Sequence, residues 1–135
     1  MTTTARGRVL IAEDEPPIVT SLEFLLKSRR IDTRAAGDGE TALALAEAFK
    51  PHVVLLDVML PKVSGFEVCR VIRAKKKGWQ PRIIFLTARG LEADIARGRE
   101  VGADLHIGKP FSTKDLMTDI ERLLRDASPD WTPIT

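Results

Sequence analysis

Five residues with charged or hydroxyl side chains follow short apolar runs in this sequence. They are Glu13 and Asp14 after "RVLIA", Asp57 after "VVLL", Thr87 after "RIIFL" and Lys109 after "LHIG". Three carboxylates held together would repel one another, and at least one pKa would rise unless a cation neutralised them. Mg²⁺ prefers oxygen ligands of this kind. With an ammonium and a hydroxyl added, the set would stabilise a phosphoryl group in transfer, with Asp57 as the nucleophilic acceptor.

The elements between these residues predict that the five side chains meet. Apolar runs with β-branched members predict strands over residues 8–12, 31–36, 53–57, 82–87 and 105–109. Helical spacing of apolar residues predicts helices over 17–28, 41–49, 66–76, 91–101 and 112–126, the last capped by Ser112 or Thr113. This alternation predicts an α/β fold, a doubly wound parallel sheet with helices on both faces. Ligands bind at the carboxyl ends of such strands, where all five residues should gather.

Composition and charge exclude several classes of protein. The sequence has 135 residues, 44% hydrophobic and 30% charged, which is typical of one globular domain. We expect that domain over residues 8–127, with a flexible N-terminus at 1–7 and a tail at 128–135. No apolar run could span a membrane, and no secretory signal is visible. The single cysteine, Cys69, excludes an intrachain disulfide and favours a reducing cytosol, so we expect a cytoplasmic protein. A net charge of +2 gives no reason to expect nucleic acid as a direct partner.

The motifs around these residues resemble the receiver domain of bacterial two-component response regulators. They are "LIAEDEP", "VVLLDVMLPKVSGFEVCR", "IIFLTA" and "GADLHIGKPF", in the order and spacing of that family. The likeness covers roughly residues 8–127 and is closest to single-domain, chemotaxis-type receivers. It implies a flavodoxin-like fold with five helices and five parallel strands in the order 2-1-3-4-5.

The resemblance also implies a metal site. Asp57 would be the phosphoacceptor and, with Asp14, a direct ligand of Mg²⁺. The backbone carbonyl of Met59 would be a third ligand. Glu13 stands where many relatives have Asp, and it would act mainly through metal-bound water.

Further residues would act on the phosphoryl group. By the same resemblance, Lys109 would pair with the phosphoryl oxygens, and the Lys109–Pro110 peptide is expected to be cis. Thr87 would hydrogen-bond to the phosphoryl group and pull its loop inward. Met59 and Arg89 would flank the path of the attacking water.

The function implied is that of a signalling switch. A histidine kinase or phosphotransfer protein would donate the phosphoryl group to Asp57, and the domain would later dephosphorylate itself. It would catalyse both steps on itself without being a conventional turnover enzyme. Phosphorylation would change the face formed by the fourth helix, fifth strand and fifth helix, which would bind a downstream target protein or a second copy in a homodimer.

One switch position departs from the family. Relatives commonly carry Tyr or Phe three residues before the lysine, whereas this sequence has His106 and no tyrosine. Two interpretations stay open: an exposed strand residue on a partner-binding surface, or a side chain that switches by rotation or by titration near its ordinary pKa.

Three other functions compete with the switch. A phosphohydrolase of the haloacid dehalogenase type needs a second Asp two residues after the first, where this sequence has Met59. A flavin- or nucleotide-binding flavodoxin-like protein is disfavoured because the loop "EDEPP" is acidic and lacks glycine. A receiver-like module that binds partners without phosphorylation remains, although all five strand-end residues count against it.

Overall fold

The computed structural model describes residues 7–75, 78–87 and 92–127. The strands are β1 (Arg8–Ala12), β2 (Asp32–Ala36), β3 (Val53–Asp57), β4 (Arg82–Thr87) and β5 (Leu105–Gly108). The helices are α1 (Pro16–Ser28), α2 (Gly39–Phe49), α3 (Gly65–Ala74), α4 (Glu92–Val101) and α5 (Thr113–Ala127). All strand pairs are parallel, in the order β2-β1-β3-β4-β5. The predicted fold class, strand order and number of helices are therefore confirmed.

Some predicted segments fall outside this description. The terminal segments 1–6 and 128–135 and the loop residue Arg89 lie outside the described residues, as does the predicted first residue of α4, Leu91. None of the helices within the described ranges is long and apolar enough to cross a membrane.

Register brings the strand ends to one level. The paired residues at the carboxyl edge are Ala12 with Leu56, Asp57 with Leu86, and Thr87 with Gly108. Glu13 and Lys109 follow directly after two of these paired residues. Because β1, β3, β4 and β5 are adjacent in the sheet, four of the five predicted site residues stand side by side along its edge.

Two apolar layers hold the sheet between the helices. On one face, α1 and α5 pack Leu22, Leu26, Leu116, Ile120 and Leu124 against the sheet. On the other face, α2 and α3 contribute Ala42, Ala46, Val68, Cys69 and Ile72. The β3 strand is buried along its whole length, as its nearly continuous apolar run predicted.

Helix starts near the carboxyl edge are set by local chemistry. Ser64 and Ser112 accept hydrogen bonds from the backbone N–H groups three residues ahead, at 3.2 Å in both cases. Ser112 is therefore the cap of α5, one of the two predicted residues. Gly65 opens α3 against the end of β3, where a Cβ would lie 2.3 Å from the carbonyl oxygen of Asp57. Only glycine lets α3 begin so close to Asp57.

The opposite edge of the sheet is closed by polar contacts. His52 Nδ1 accepts a hydrogen bond from the backbone N–H of Arg8 at 3.0 Å, and Trp79 Nε1 donates to the carbonyl of Pro51 at 2.6 Å. Burial, aided by the charge of Arg8, lowers the pKa of His52. An imidazole that accepts a backbone N–H must be neutral at Nδ1, so this contact favours the uncharged ring.

This contact predicts a pH-dependent stability. Because the folded pKa of His52 is lowered, the unfolded chain binds more protons below the ordinary value of 6.5. The free energy of unfolding should therefore decrease as pH falls from about 7.5 to about 5.5. His52→Gln should show a smaller decrease in urea denaturation over the same range. An equal pH dependence in parent and variant would contradict this assignment, since the remaining titrating groups are common to both.

Candidate functional site

Three carboxylates meet at the carboxyl edge of the sheet. Glu13, Asp14 and Asp57 each offer an oxygen, and these atoms all lie within 4.8 Å of one another. Glu13 and Asp57 are buried, with 1% and 5% of their surfaces exposed, whereas Asp14 is exposed. The structure thus brings together the three acidic side chains that the sequence placed at the ends of β1 and β3.

Asp57 is held in a fixed orientation. Its Oδ1 accepts a hydrogen bond from the backbone N–H of Met59 at 3.0 Å, and its Oδ2 lies 3.6 Å from Lys109 Nζ. The side chain of Met59 is exposed and lines the open pocket above Asp57. A carboxylate that is buried, oriented and reachable from one side is suited to nucleophilic attack on an incoming group.

Lys109 crosses the site and contacts three carboxylates. Its Nζ lies 2.6 Å from Glu13 Oε1, 2.9 Å from Glu15 Oε2 and 3.6 Å from Asp57 Oδ2. The sequence analysis missed Glu15. The signal that could have identified it is the third acid of "EDE", directly before the two prolines that open α1.

The pKa values of Glu13 and Lys109 show that the buried carboxylates outnumber the positive charges beside them. Burial raises the pKa of Glu13, and the charge of Asp57 adds to the effect, although pairing with Lys109 opposes it. Burial alone would lower the pKa of Lys109, but hydrogen bonds to Glu13 and Glu15 and the charge of Asp57 raise it well above its ordinary value. Lys109 therefore remains a fixed positive charge, while the buried carboxylates still lack a full counter-charge.

The donor set fits a hard divalent cation. Three carboxylates converge from two strand ends, all their donor atoms are oxygens, and one of the three is open to water. Mg²⁺ is typically bound by one or two carboxylates while it keeps several waters. Asp14 and Asp57, with Glu13 behind them, satisfy that requirement.

Thr87 and Lys109 are joined through the backbone. The Lys109 N–H donates to the Thr87 carbonyl at 2.6 Å, which extends the pairing of β4 and β5 by one residue. The Thr87 side chain is buried at the end of β4. The Lys109–Pro110 peptide bond is cis. Thr87 and Lys109 therefore lie next to each other at the carboxyl ends of the adjacent strands β4 and β5.

His106 is not fully exposed, so that part of the first interpretation was wrong, while its place on a partner-binding surface stays a prediction. Its ring is half-buried, 5.5 Å from the ring of Phe85, and its Nε2 is buried without a hydrogen-bond partner among the described residues. Helix α4 passes directly above it, and a Cβ at Gly98 would lie 2.0 Å from Nε2. Gly98 therefore provides the space that the imidazole occupies.

Comparison with known proteins identifies the family. The family model described as "Response regulator receiver domain" matches residues 9–121. This chain belongs to the response regulator receiver domain family. Receiver domains act in two-component signalling, bind Mg²⁺ in an acidic site and interact with histidine kinases or phosphotransfer proteins and with downstream effectors. The haloacid dehalogenase and flavodoxin alternatives are thereby set aside.

Solved receiver domains share its fold. One from a Francisella response regulator is 26% identical, with a TM-score of 0.83, over 91% of this chain and 100% of that one. The receiver domain of a sensor histidine kinase from Pseudomonas aeruginosa, with a magnesium ion coordinated in its active site cleft, is 31% identical, with a TM-score of 0.79, over 89% and 98%. The BeF3-activated receiver domain of Klebsiella pneumoniae RstA is 28% identical, with a TM-score of 0.80, over 88% and 99%.

The fit between Gly98 and His106 is testable. In the parent background, Gly98→Ala should destabilise the receiver domain by about 1–2 kcal/mol, because overpacking outweighs the higher helix propensity of alanine. In a His106→Ala background the same change should cost about 1 kcal/mol less, because the ring is gone and only the 3.1 Å approach of the Cβ to Phe85 remains. Urea denaturation of the four proteins measures this difference. Destabilisation by the same amount in both backgrounds would show that the imidazole does not occupy the space.

Proposed function

We propose that this receiver domain accepts a phosphoryl group on Asp57 from a histidine kinase or phosphotransfer protein, with Mg²⁺ bound beside it. The observation that carries the proposal is the position of Asp57, buried between two further carboxylates and 3.6 Å from an ammonium. A structural carboxylate has no need of so many acidic neighbours. The arrangement is expected if a cation and a phosphoryl group share the site.

The transfer is an in-line displacement. An oxygen of Asp57 attacks phosphorus, the bond from phosphorus to the donor nitrogen breaks, and its electron pair stays on that nitrogen. Lys109 places its charge beside the incoming oxygens and lowers their repulsion with Asp57. Bound Mg²⁺ would supply the remaining positive charge, held by Asp14, Asp57 and the backbone carbonyl of Met59, with Glu13 acting through metal-bound water. In self-dephosphorylation, water attacks phosphorus and the bond from phosphorus to the Asp57 oxygen breaks, with its electron pair staying on the carboxylate. Inorganic phosphate leaves with the oxygen of the water, whose proton passes to the phosphate or to solvent.

The signal would leave through the face formed by α4, β5 and α5. Thr87 would hydrogen-bond to the phosphoryl group, and its strand neighbour β5 carries His106 beneath α4. The close approach of Gly98 to His106 supports a role for His106 in this change, because the ring could not move further towards α4 unless the helix moved. A downstream target protein, or a second copy of the domain, would bind the altered face. Residues 8–127 would act as the switching unit.

Phosphorylation of Asp57 is directly testable. With acetyl phosphate and Mg²⁺, intact-protein mass spectrometry should show the addition of one phosphoryl group. The added mass should disappear in Asp57→Asn and when Mg²⁺ is chelated. Asp119→Asn is the matched control, because Asp119 lies within α5, outside the cluster of Glu13, Asp14 and Asp57, and pairs with Arg122.

Two outcomes would contradict the acceptor assignment. One is equal labelling of the parent and Asp57→Asn, and the other is no labelling of a folded parent that also fails to bind the phosphoryl mimic beryllofluoride. The second outcome would favour a receiver-like module that binds its partners without phosphorylation.

A further inference from the structure

Glu15 differs from the other carboxylates around Lys109. The side chains of Glu13 and Asp57 have 0% and 6% of their surfaces exposed, whereas that of Glu15 has 55%. Glu15 nevertheless lies 2.9 Å from Lys109 Nζ with hydrogen-bond geometry. Lys109 is therefore shared between two buried carboxylates and one that stands mostly in water.

The start of α1 explains why the Glu15 side chain is available for this contact. Glu15 is the N-cap residue of α1, but its carboxylate makes no capping hydrogen bond. The next two residues are prolines without N–H groups, and the N–H groups of Ile18 and Val19 both donate to the Glu15 carbonyl at 3.1 Å. The helix end thus leaves no donor for the side chain, which reaches across the pocket instead.

The charges of the pocket make this contact a competitor of the phosphoryl group. The carboxylates of Glu13, Glu15 and Asp57 lie within 4 Å of the Lys109 ammonium, and Asp14 stands beside Glu13 and Asp57. A phosphoryl group on Asp57 adds further negative charge and needs the same ammonium. The side chains of Glu13 and Asp57 are buried beside Lys109, whereas the exposed carboxylate of Glu15 can turn into water with little loss of solvation.

We propose that Glu15 is a positioning residue that holds the Lys109 ammonium while Asp57 is unphosphorylated and releases it to the phosphoryl group. This inference rests on the proposed function and assigns Glu15 a part in it. An interaction present in one state and absent in the other favours the first state by its whole free energy. Glu15 therefore lowers the affinity of the site for a phosphoryl group.

Beryllofluoride affinity tests the proposal without a covalent step. Isothermal titration of beryllofluoride at saturating Mg²⁺, with Mg²⁺ affinity measured separately, should give about two- to fivefold tighter binding for Glu15→Gln than for the parent, the range expected for loss of one exposed ion pair. Glu15→Asp keeps the charge but is one methylene too short for the contact, so it should show most of the gain. Glu23→Gln removes a carboxylate further along α1 and should bind as the parent does.

The outcomes separate this inference from the proposed function. A folded parent that fails to bind beryllofluoride overturns both. A parent that binds, with Glu15→Gln equal to it or weaker, overturns only the role of Glu15. If Glu15→Asp binds as the parent does, or if Glu23→Gln gains as much as Glu15→Gln, the effect is one of general charge and the contact with Lys109 is not its cause. Urea denaturation of each variant verifies that the fold is retained.

Discussion

The concentration of carboxylates at one edge of the sheet is the constraint on which this receiver domain depends. Glu13 and Asp57 are buried side by side, and Asp14 stands next to them. Such a group would force its own protonation unless positive charge were supplied. Lys109 supplies part of that charge from the end of β5, and the remainder suits a hard divalent cation. The donor set therefore fits a hard divalent cation, and the proposed phosphoryl transfer would use the same site.

The fold serves this constraint through close backbone packing. Parallel pairing sets the ends of β1, β3, β4 and β5 at one level, and the hydrogen bond from Lys109 N–H to the Thr87 carbonyl continues that pairing beyond the strands. Gly65 lets α3 begin against the carbonyl of Asp57. At the opposite edge, His52 and Trp79 close the sheet with contacts to backbone. The carboxyl edge therefore carries the candidate site, while contacts at the amino edge hold the sheet to its loops.

The histidine at position 106 is matched by a glycine on α4. The imidazole needs space beneath that helix, and Gly98 provides it. His106 on β5 packs beneath Gly98 on α4, and any side chain at position 98 would prevent this packing. Burial, with the charge of Arg99, lowers the pKa of His106, so the ring under α4 is held in its neutral form. Glycine within a helix usually weakens it, and here that cost accompanies a packing role.

The sequence by itself determined the class of fold and the five strand-end residues, and the resemblance of its motifs indicated the family. The fold class and the strand-end residues could be predicted because strand and helix periodicities are local, and because parallel strands must end at a common edge. It did not determine that Glu15 contacts Lys109, a residue 94 positions away, nor that Gly98 lies over His106. Both contacts depend on how α1 and α4 pack against the sheet. The direction of the Glu15 side chain and the space above His106 are set only when α1 and α4 pack against the sheet.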